Sequence, residues 1–340
     1  MSPAMVPTAT GTWTQAGTTL LGVIEVVLGF VAILAVVFYV AGRVTGRFQR
    51  PVALLITLGP AMLLAFLGLV VPAIKTINLS FKNQQYLGQL TTKYIGFKNY
   101  TFAFTDHYTQ MTILRTFLWL IIVPAVTVFV GLLAALLLDR MRHTSLPKTL
   151  IFLPTAISFV GASVIWSYVY QYVDPRLPQP GLLSQIAIWL GWHNPPNWLI
   201  TSPINIFLEM VIMIWIQVGF AMVLLGAALK SIPEEVIESA RLDGAEGFTL
   251  FRTVQIPMIR NTIVVVLTTV MITTLTVFDI VFTINNGNFN TDVLARQMYA
   301  DMFVTNQVSR GSALAVLIFI LVLPLLWYNI RQLRLERETR

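Results

Sequence analysis

Few residues of this sequence could carry out chemistry, and most kinds of catalytic site are missing from it. The chain has no cysteine, and its three histidines, His107, His143 and His193, fall in separate polar stretches. Neither a phosphate-binding G-x-x-x-x-G-K-[ST] loop nor a zinc-binding H-E-x-x-H pair occurs in it. We therefore expect no metal site, no catalytic residues and no cofactor bound by this chain itself.

Three acidic residues lie within or beside long apolar stretches, where an ionisable side chain is a candidate for ion coupling. They are Glu25, Glu209 and Asp279, and each is near an end of its stretch. At such a position Glu25 could simply reach headgroups or a neighbouring helix. An ion-coupled secondary transporter or a channel subunit is therefore an alternative that these residues leave open.

A second group of residues combines aromatic rings with amide and hydroxyl groups, the mixed lining that binding pockets use. Gln217 and Phe220 are three residues apart and share one face of a helix. The other members lie in the same apolar stretch or the following one: Trp215, Thr273, Thr274, Thr276 and Phe278. Sugars stack on such rings and bond to such polar groups. Alternatively, the threonines bond to their own helix and the rings belong to the core.

The polar segment 230–257, KSIPEEVIESARLDGAEGFTLFRTVQIP, lies between these two apolar stretches. Ser231 and Glu234 have the spacing of a capping box, with Pro233 in the first turn, so a helix is predicted to begin here. Gly244 is predicted to end that helix.

Residues 245–254 can form a second short helix, which Pro257 is predicted to end. Phe248, Leu250 and Phe251 give it more apolar surface than a solvated loop needs. The whole segment therefore predicts a helix–turn–helix on the membrane surface that docks onto another protein. A simple connecting loop is the alternative.

A fixed spacing runs through the same segment. Glu238, Ser239 and Ala240 are followed after three residues by Gly244, and nine residues further on by V-Q-I-P, which ends at Pro257. This order resembles the cytoplasmic signature of permease subunits in binding-protein-dependent ABC importers, which reads E-A-A, G and I-x-L-P at these intervals. The flanking S-I-P-E-E and A-R-L-D-G-A resemble the carbohydrate-uptake branch, of the maltose and glycerol-phosphate type.

The resemblance implies a role for each matching residue. Coupling to an ATPase would involve Glu238, Ser239, Ala240, Asp243, Gly244, Phe248 and Pro257. Sugar contacts, counted from the shared glycine, would fall at Ile216, Gln217, Phe220, Thr273, Thr274 and Val277. Thr274 and Val277 replace asparagines of the family. The overall likeness to α-glucoside permeases points to a di- or oligosaccharide such as maltose or trehalose.

The resemblance also implies the partners. These are a second permease subunit in a heterodimer, a cytoplasmic ATPase homodimer that binds ATP and Mg²⁺, and a solute-binding protein outside. The expected fold is the type I importer permease, an all-α polytopic protein of the bacterial inner membrane. It has six core transmembrane helices, here preceded by one extra N-terminal helix.

Composition agrees with a protein of the lipid bilayer. The chain is 56% hydrophobic and 11% charged, with a mean hydropathy of +0.76. Its apolar stretches predict spans at 18–40, 51–74, 113–138, 149–170, 204–229, 258–284 and 311–330. Short helices are expected near 97–104 and 182–190. We divide the chain into an N-terminal part, 1–50, a permease core, 51–330, and a tail, 331–340.

The basic residues predict the orientation. Net charge is +7, but the positive residues are spread over short loops, so nucleic-acid binding is not expected. Most of them fall on the side of segment 230–257, including Arg43, Arg47, Arg50 and the arginines after 330. The positive-inside rule therefore places that segment and the C-terminus in the cytoplasm and the N-terminus outside.

Overall fold

A computed structural model describes residues 49–338, apart from 87, 90–91, 140, 142–143 and 175, together with 28, 29, 35 and 39. The predicted span 18–40 therefore lies almost wholly outside the described residues, as does Glu25. The chain forms two compact units, Met1–Lys75 and Thr76–Arg340. Within the described residues the secondary structure is helical, with an isolated bridge between Lys82 and Tyr94 and no strand.

The helices follow one another in short steps. The first half of the described chain contains α1 (Gln49–Ala65), α2 (Val71–Ser80), α3 (Lys98–Thr105), α4 (His107–Asp139), α5 (Ser145–Phe152), α6 (Phe159–Val169) and α7 (Leu182–Trp189). The second half contains α8 (Ile204–Lys230), α9 (Glu234–Leu242), α10 (Gly247–Leu250), α11 (Ile256–Leu275), α12 (Asp279–Asn285), α13 (Leu294–Tyr299) and α14 (Val308–Glu338). Wider π turns join α1 to α2, α10 to α11 and the end of α13 to the loop before α14.

Five helical runs of the described chain are long and apolar enough to cross a membrane: Leu58–Ser80, His107–Asp139, Ile204–Lys230, Gly247–Leu275 and Val308–Arg331. A sixth crossing results if the bent pair Ser145–Ala156 and Phe159–Val169 counts as one span. The predicted all-α polytopic fold is thereby confirmed. The short helices expected near 97–104 and 182–190 are also present, as α3 and α7.

The predicted continuous span 149–170 is wrong, because the chain bends by 107° between α5 and α6. A 3-10 turn containing Pro154 follows α5, and Ile157 then takes an extended conformation. Ser158 restarts the helix by accepting a hydrogen bond from the Gly161 amide at 3.1 Å. Hydropathy over this stretch is uninterrupted, so only the proline and the Ser-x-x-Gly spacing signal the break.

The predicted span 258–284 is also interrupted. Helix α11 ends at Leu275, the Val277 amide bonds to the Thr274 carbonyl at 3.1 Å, and Phe278 is the N-cap residue from which α12 begins. The Thr276 hydroxyl donates to the Thr273 carbonyl at 3.2 Å, which satisfies an acceptor at the helix end. The break falls among the residues predicted to contact sugar.

Close packing of α4, α5 and α8 forms the centre of the second unit. A Cβ atom on Gly131 would lie 2.6 Å from the Cβ of Ala221, so these two helices touch backbone to backbone. A Cβ on Gly219 would lie 2.6 Å from the Ile151 carbonyl oxygen, which brings α8 against the bent span. Around these contacts lie fully buried side chains of α4, α8 and α11: Trp119, Val123, Ile212, Met213, Leu225, Val266 and Val270.

Candidate coupling surface and translocation site

Helix α9 is the first helix of segment 230–257, and it begins differently from the prediction. Pro233 is the N-cap residue, and no side chain caps the helix. Ser231 instead ends α8, where its hydroxyl donates to the Ala228 carbonyl at 2.7 Å. The capping-box prediction is therefore wrong, because Ser231 is still bonded into the last turn of α8. Glu234 and Glu235 occupy the first turn of α9, where negative charge favours the helix dipole.

Gly244 ends this helix as predicted. Its φ is +85°, in the left-handed region that glycine enters without strain. Its amide bonds to the Arg241 carbonyl at 3.0 Å, and the Ala245 amide to the Ala240 carbonyl at 2.9 Å. A Cβ atom on Gly244 would meet nothing within 4 Å in the described chain. The space above this glycine is open on the surface of the protein.

The second helix does not end at Pro257. Helix α10 continues through the π turn Phe251–Gln255 into α11, and Gly247–Leu275 forms one candidate span. Pro257 lies in the first turn of α11, directly after the π turn, where the missing amide of proline is tolerated. The prediction of a separate short helix is therefore corrected to a surface turn that leads straight into a membrane helix.

Most of the predicted coupling residues lie on the surface. Glu238, Ser239, Asp243, Gly244 and Pro257 are exposed and Ala240 is half-buried. Phe248 is 73% exposed and contacts Phe251 at a centroid distance of 6.1 Å. Among the described residues, Glu238 has no hydrogen-bond or ion-pair partner. The exposed acids of this surface are Glu234, Glu235, Glu238, Asp243 and Glu246.

A cavity of about 890 Å³ lies behind this surface. Its walls are the C-terminal half of α4, with Phe129, Leu133 and Leu136, and the turn that carries Phe248 and Phe251. Such a space next to α10 leaves the turn room to move against α4.

The predicted sugar residues come from helices α8 and α11, which pack against each other, and from the break after α11, where Val277 lies. Ile216 and Val277 are buried in one apolar core, and Phe220 is partly buried against it. Gln217 is half-buried, and its amide makes no hydrogen bond to any other described residue. It is therefore free to bond to a ligand.

The two threonines in this group bond to their own helix. Thr273 donates to the Thr269 carbonyl at 3.1 Å, and Thr274 donates to the Val270 carbonyl at 2.7 Å. Thr273 is half-buried, whereas Thr274 is buried. Their hydroxyl protons are thus used within α11, as one of the alternative interpretations of the sequence holds, although each oxygen can still accept a hydrogen bond.

Sequence reasoning missed a polar network at the other end of the bundle. Asp292 is fully buried and accepts hydrogen bonds from the Tyr108 hydroxyl at 2.6 Å and from Arg296 at 2.6 and 2.7 Å. Gln297 donates to the Thr109 hydroxyl at 2.8 Å. These bonds fasten the loop 286–293 and α13 to the start of α4. The i,i+4 spacing of Asp292 and Arg296 is the signal that could have indicated it.

Helix α8 joins the same network. The Asn205 amide donates to the Phe289 carbonyl at 2.8 Å, and Arg115 of α4 donates to Asn290 at 3.0 Å. Glu209, one of the candidate ion-coupling acids, is fully buried beside Thr291 and Asn285. Neither of its carboxylate oxygens has a hydrogen-bond partner among the described residues, so packing alone does not explain the burial of this acid.

Comparisons with known proteins define the class to which this fold and surface belong. Residues 112–340 match the family described as "Binding-protein-dependent transport system inner membrane component". The chain belongs to this family and is a multi-pass inner-membrane permease subunit of an ABC importer. The resemblance drawn from the spacing of Glu238, Gly244 and Pro257 is thereby confirmed, and an ion-coupled carrier or a channel is not supported.

Two relatives are similar over most of their length. The chain is 43% identical to the osmoprotective compounds uptake permease protein GgtC of Synechocystis, covering 83% of this chain and 99% of that protein. It is 45% identical to the alpha-glucoside transport system permease protein AglF of Rhizobium meliloti, covering 81% of this chain and 80% of that protein.

The fold is also found in a solved structure. A chain from the crystal structure of a bacterial ABC transporter that imports the acidic polysaccharide alginate matches with a TM-score of 0.71. The match covers 84% of this chain and 97% of that chain at 21% identity. It confirms the predicted importer permease fold.

Proposed function

We propose that this chain forms half of the translocation pathway of an ATP-driven importer of a di- or oligosaccharide, such as maltose or trehalose. The observation that carries the proposal is the exposed α9–Gly244–α10 surface, which has the importer spacing and leaves open space above Gly244. The sugar class is supported by the similarity to a permease named for alpha-glucoside transport.

Energy would come from a cytoplasmic ATPase homodimer that binds ATP and Mg²⁺. The exposed acids of α9 and the turn after it are complementary to a basic groove, and Phe248 offers an aromatic side chain for an apolar pocket. Because α10 continues into α11 without a break, a push on this surface is transmitted directly to the helix that carries Thr273 and Thr274. Coupling would thus run along one continuous span.

Two further partners complete the proposed machine. A second, related permease subunit would supply the other half of the pathway, and a solute-binding protein would deliver the sugar from outside. The polar network around Asp292 lies at the end of the bundle opposite the coupling surface, so it would face the binding protein.

The proposed sugar site predicts a specific loss of transport. Replacing Gln217 with alanine should lower the maximal uptake of labelled maltose or trehalose roughly tenfold, because a sugar hydroxyl loses its partner at a cost of about 1–3 kcal/mol. Phe220→Ala should have a similar effect by removing a stacking face. Uptake is measured over a range of sugar concentrations in cells that carry the whole transporter.

Gln185→Ala is the matched control, because it removes the same amide from α7, a helix that carries none of the proposed sugar residues. The amount of assembled transporter in the membrane should stay normal in all variants. Wild-type uptake in both Gln217→Ala and Phe220→Ala would return these residues to the core and refute the site.

The proposed orientation gives a separate prediction. A phosphatase or fluorescent reporter fused after residue 340 should behave as cytoplasmic, and one fused before residue 18 as external, because the basic residues concentrate on the side of α9. Reporter activity at both fusion points is the measurement. An external C-terminus would put the coupling surface on the wrong side for any ATPase.

A further inference from the structure

Four aromatic rings form a continuous ladder beyond the proposed sugar site. Phe278 stacks on Phe282 at a centroid distance of 5.0 Å and an interplanar angle of 22°. Tyr299 contacts both of these rings, at 5.0 and 5.7 Å, and Phe303 contacts Tyr299 at 5.3 Å. The ladder thus connects the start of α12 with the end of α13 and the π turn Ala300–Val304.

The ladder is not closed off as a core cluster would be. Phe282 is 40% exposed and Phe303 is 54% exposed, while Phe278 and Tyr299 are half-buried. Helix α12 is fixed to the protein by a different face, through the fully buried Ile280 and Val281. The rings of Phe282 and Phe303 are therefore not needed to hold α12 in place, and part of their surface is free to contact a ligand.

The ladder begins next to the proposed sugar site in sequence, and Val277 and Phe278 pack against two different apolar cores. Phe278 follows Val277 directly, at the break between α11 and α12. From there the rings continue toward the end of the bundle that carries the Asp292 network, which is the end proposed to receive sugar. A sugar leaving a binding protein would meet Phe303 and Phe282 before it reached Thr273 and Gln217.

Carboxylates lie beside the rings in sequence. Asp279 follows Phe278, and Asp301 lies between Tyr299 and Phe303; both are half-buried. Neither side chain hydrogen-bonds to another described residue. Burial raises the pKa of Asp301 to about 6. Aromatic rings, with carboxylates nearby along the chain, are residue types found in the mixed lining that suits sugars.

We infer that Phe278, Phe282, Tyr299 and Phe303 form an entry track on which the flat C–H faces of pyranose rings stack as the sugar passes to the site between α8 and α11. This inference rests on the proposed function. It adds a second sugar-contacting region that lies outside the residues implied by the importer signature.

An exposed aromatic surface could instead be covered by the second permease subunit. The two occupants make different demands on the side chain. Sugar stacking needs an aromatic face, which leucine lacks and tyrosine keeps. A tightly packed subunit interface needs apolar volume, which leucine largely supplies. Tyrosine would instead add a polar hydroxyl group to that interface.

The test therefore compares leucine and tyrosine at the two exposed rings. Phe282→Leu and Phe303→Leu should each lower the maximal uptake of labelled maltose or trehalose roughly fivefold or more, and Phe282→Tyr and Phe303→Tyr should recover most of it. Phe104→Leu is the matched control, because Phe104 is 56% exposed on α3 and is not part of the ladder. Co-purification of the second permease subunit is measured in parallel.

Each result decides between the alternatives. Loss in the leucine variants with recovery in the tyrosine variants and intact co-purification supports the track. Normal uptake in both leucine variants overturns the track. Loss of co-purification of the second permease subunit in the leucine or tyrosine variants also overturns it, because that result indicates a subunit interface. If the ladder variants are normal while Gln217→Ala is defective, the track fails and the proposed function stands. If the wild-type transporter imports no sugar, both fail.

Discussion

Replacing Gly219 with alanine is expected to prevent stable assembly of the membrane core. The added Cβ would lie 2.6 Å from the Ile151 carbonyl oxygen and 2.8 Å from the Phe152 Cα. Both are backbone atoms, next to the bend that breaks the fourth apolar stretch, so neither can yield as a flexible side chain would. Overpacking of this kind costs about 1–3 kcal/mol or more. Folded yield in detergent and the thermal unfolding midpoint report the effect.

Gly226→Ala is the matched control on the same helix. Its Cβ would lie 3.6 Å from the Cβ of Ala135, an ordinary contact, and alanine favours a helix over glycine by about 1 kcal/mol. This variant should fold at least as well as the wild type. Equal yields and equal unfolding midpoints for Gly219→Ala and Gly226→Ala would contradict the packing of α8 against the bent span.

Gly244→Leu is expected to separate ATP hydrolysis from transport. A leucine at a φ of +85° is strained by about 1–2 kcal/mol, and its side chain would project into the open space where the ATPase is proposed to dock. The permease should still insert, while the ATPase co-elutes weakly or hydrolyses ATP without sugar stimulation. Glu238→Lys should act similarly by reversing an exposed charge at the interface.

Gly191→Leu controls for the backbone strain. Gly191 has a φ of +92° and, like Gly244, open space around its Cβ position, but it follows α7, well away in sequence from the coupling segment. It should lower stability slightly and leave sugar-stimulated hydrolysis intact. If Gly244→Leu and Glu238→Lys both retain normal co-elution, stimulated hydrolysis and uptake, segment 230–257 does not couple the two proteins.

Apolar length and residue spacing predicted the parts of this molecule that depend on local sequence. The spans near 113–138 and 204–229, the glycine stop at Gly244 and the short helices α3 and α7 all follow from periodicity, turn residues and hydrophobicity. These features are decided within a few residues of where they occur, so one sequence is enough to locate them.

Backbone breaks inside apolar stretches could not be predicted in the same way. The hydropathy of the sequence gives no sign of these features. They are the bend after Pro154, the interruption at Thr276 and the continuation of the helix through Pro257. Each depends on which neighbouring helix the backbone meets, such as the approach of Gly219 to Ile151. The Asp292 network was missed for the same reason, because Tyr108 and Asp292 are 184 residues apart in sequence.

The candidate site contains residues that the local sequence was enough to locate and residues that only folding brings together. The coupling residues follow one another within a single surface segment, so their spacing could be recognised in the sequence. Sugar residues come from two helices, and the ladder from Phe278 to Phe303 requires α12 and α13 to meet. Only the folded chain brings such residues together.

Uptake of labelled sugars tests the central claim most directly. Cells that lack this chain but keep its partners would be assayed with a panel including maltose and trehalose, and assayed again after the chain is restored. The account predicts that at least one di- or oligosaccharide enters only in the restored cells, and that Gly244→Leu fails to restore its entry. Equal uptake of every sugar with and without the chain would contradict it.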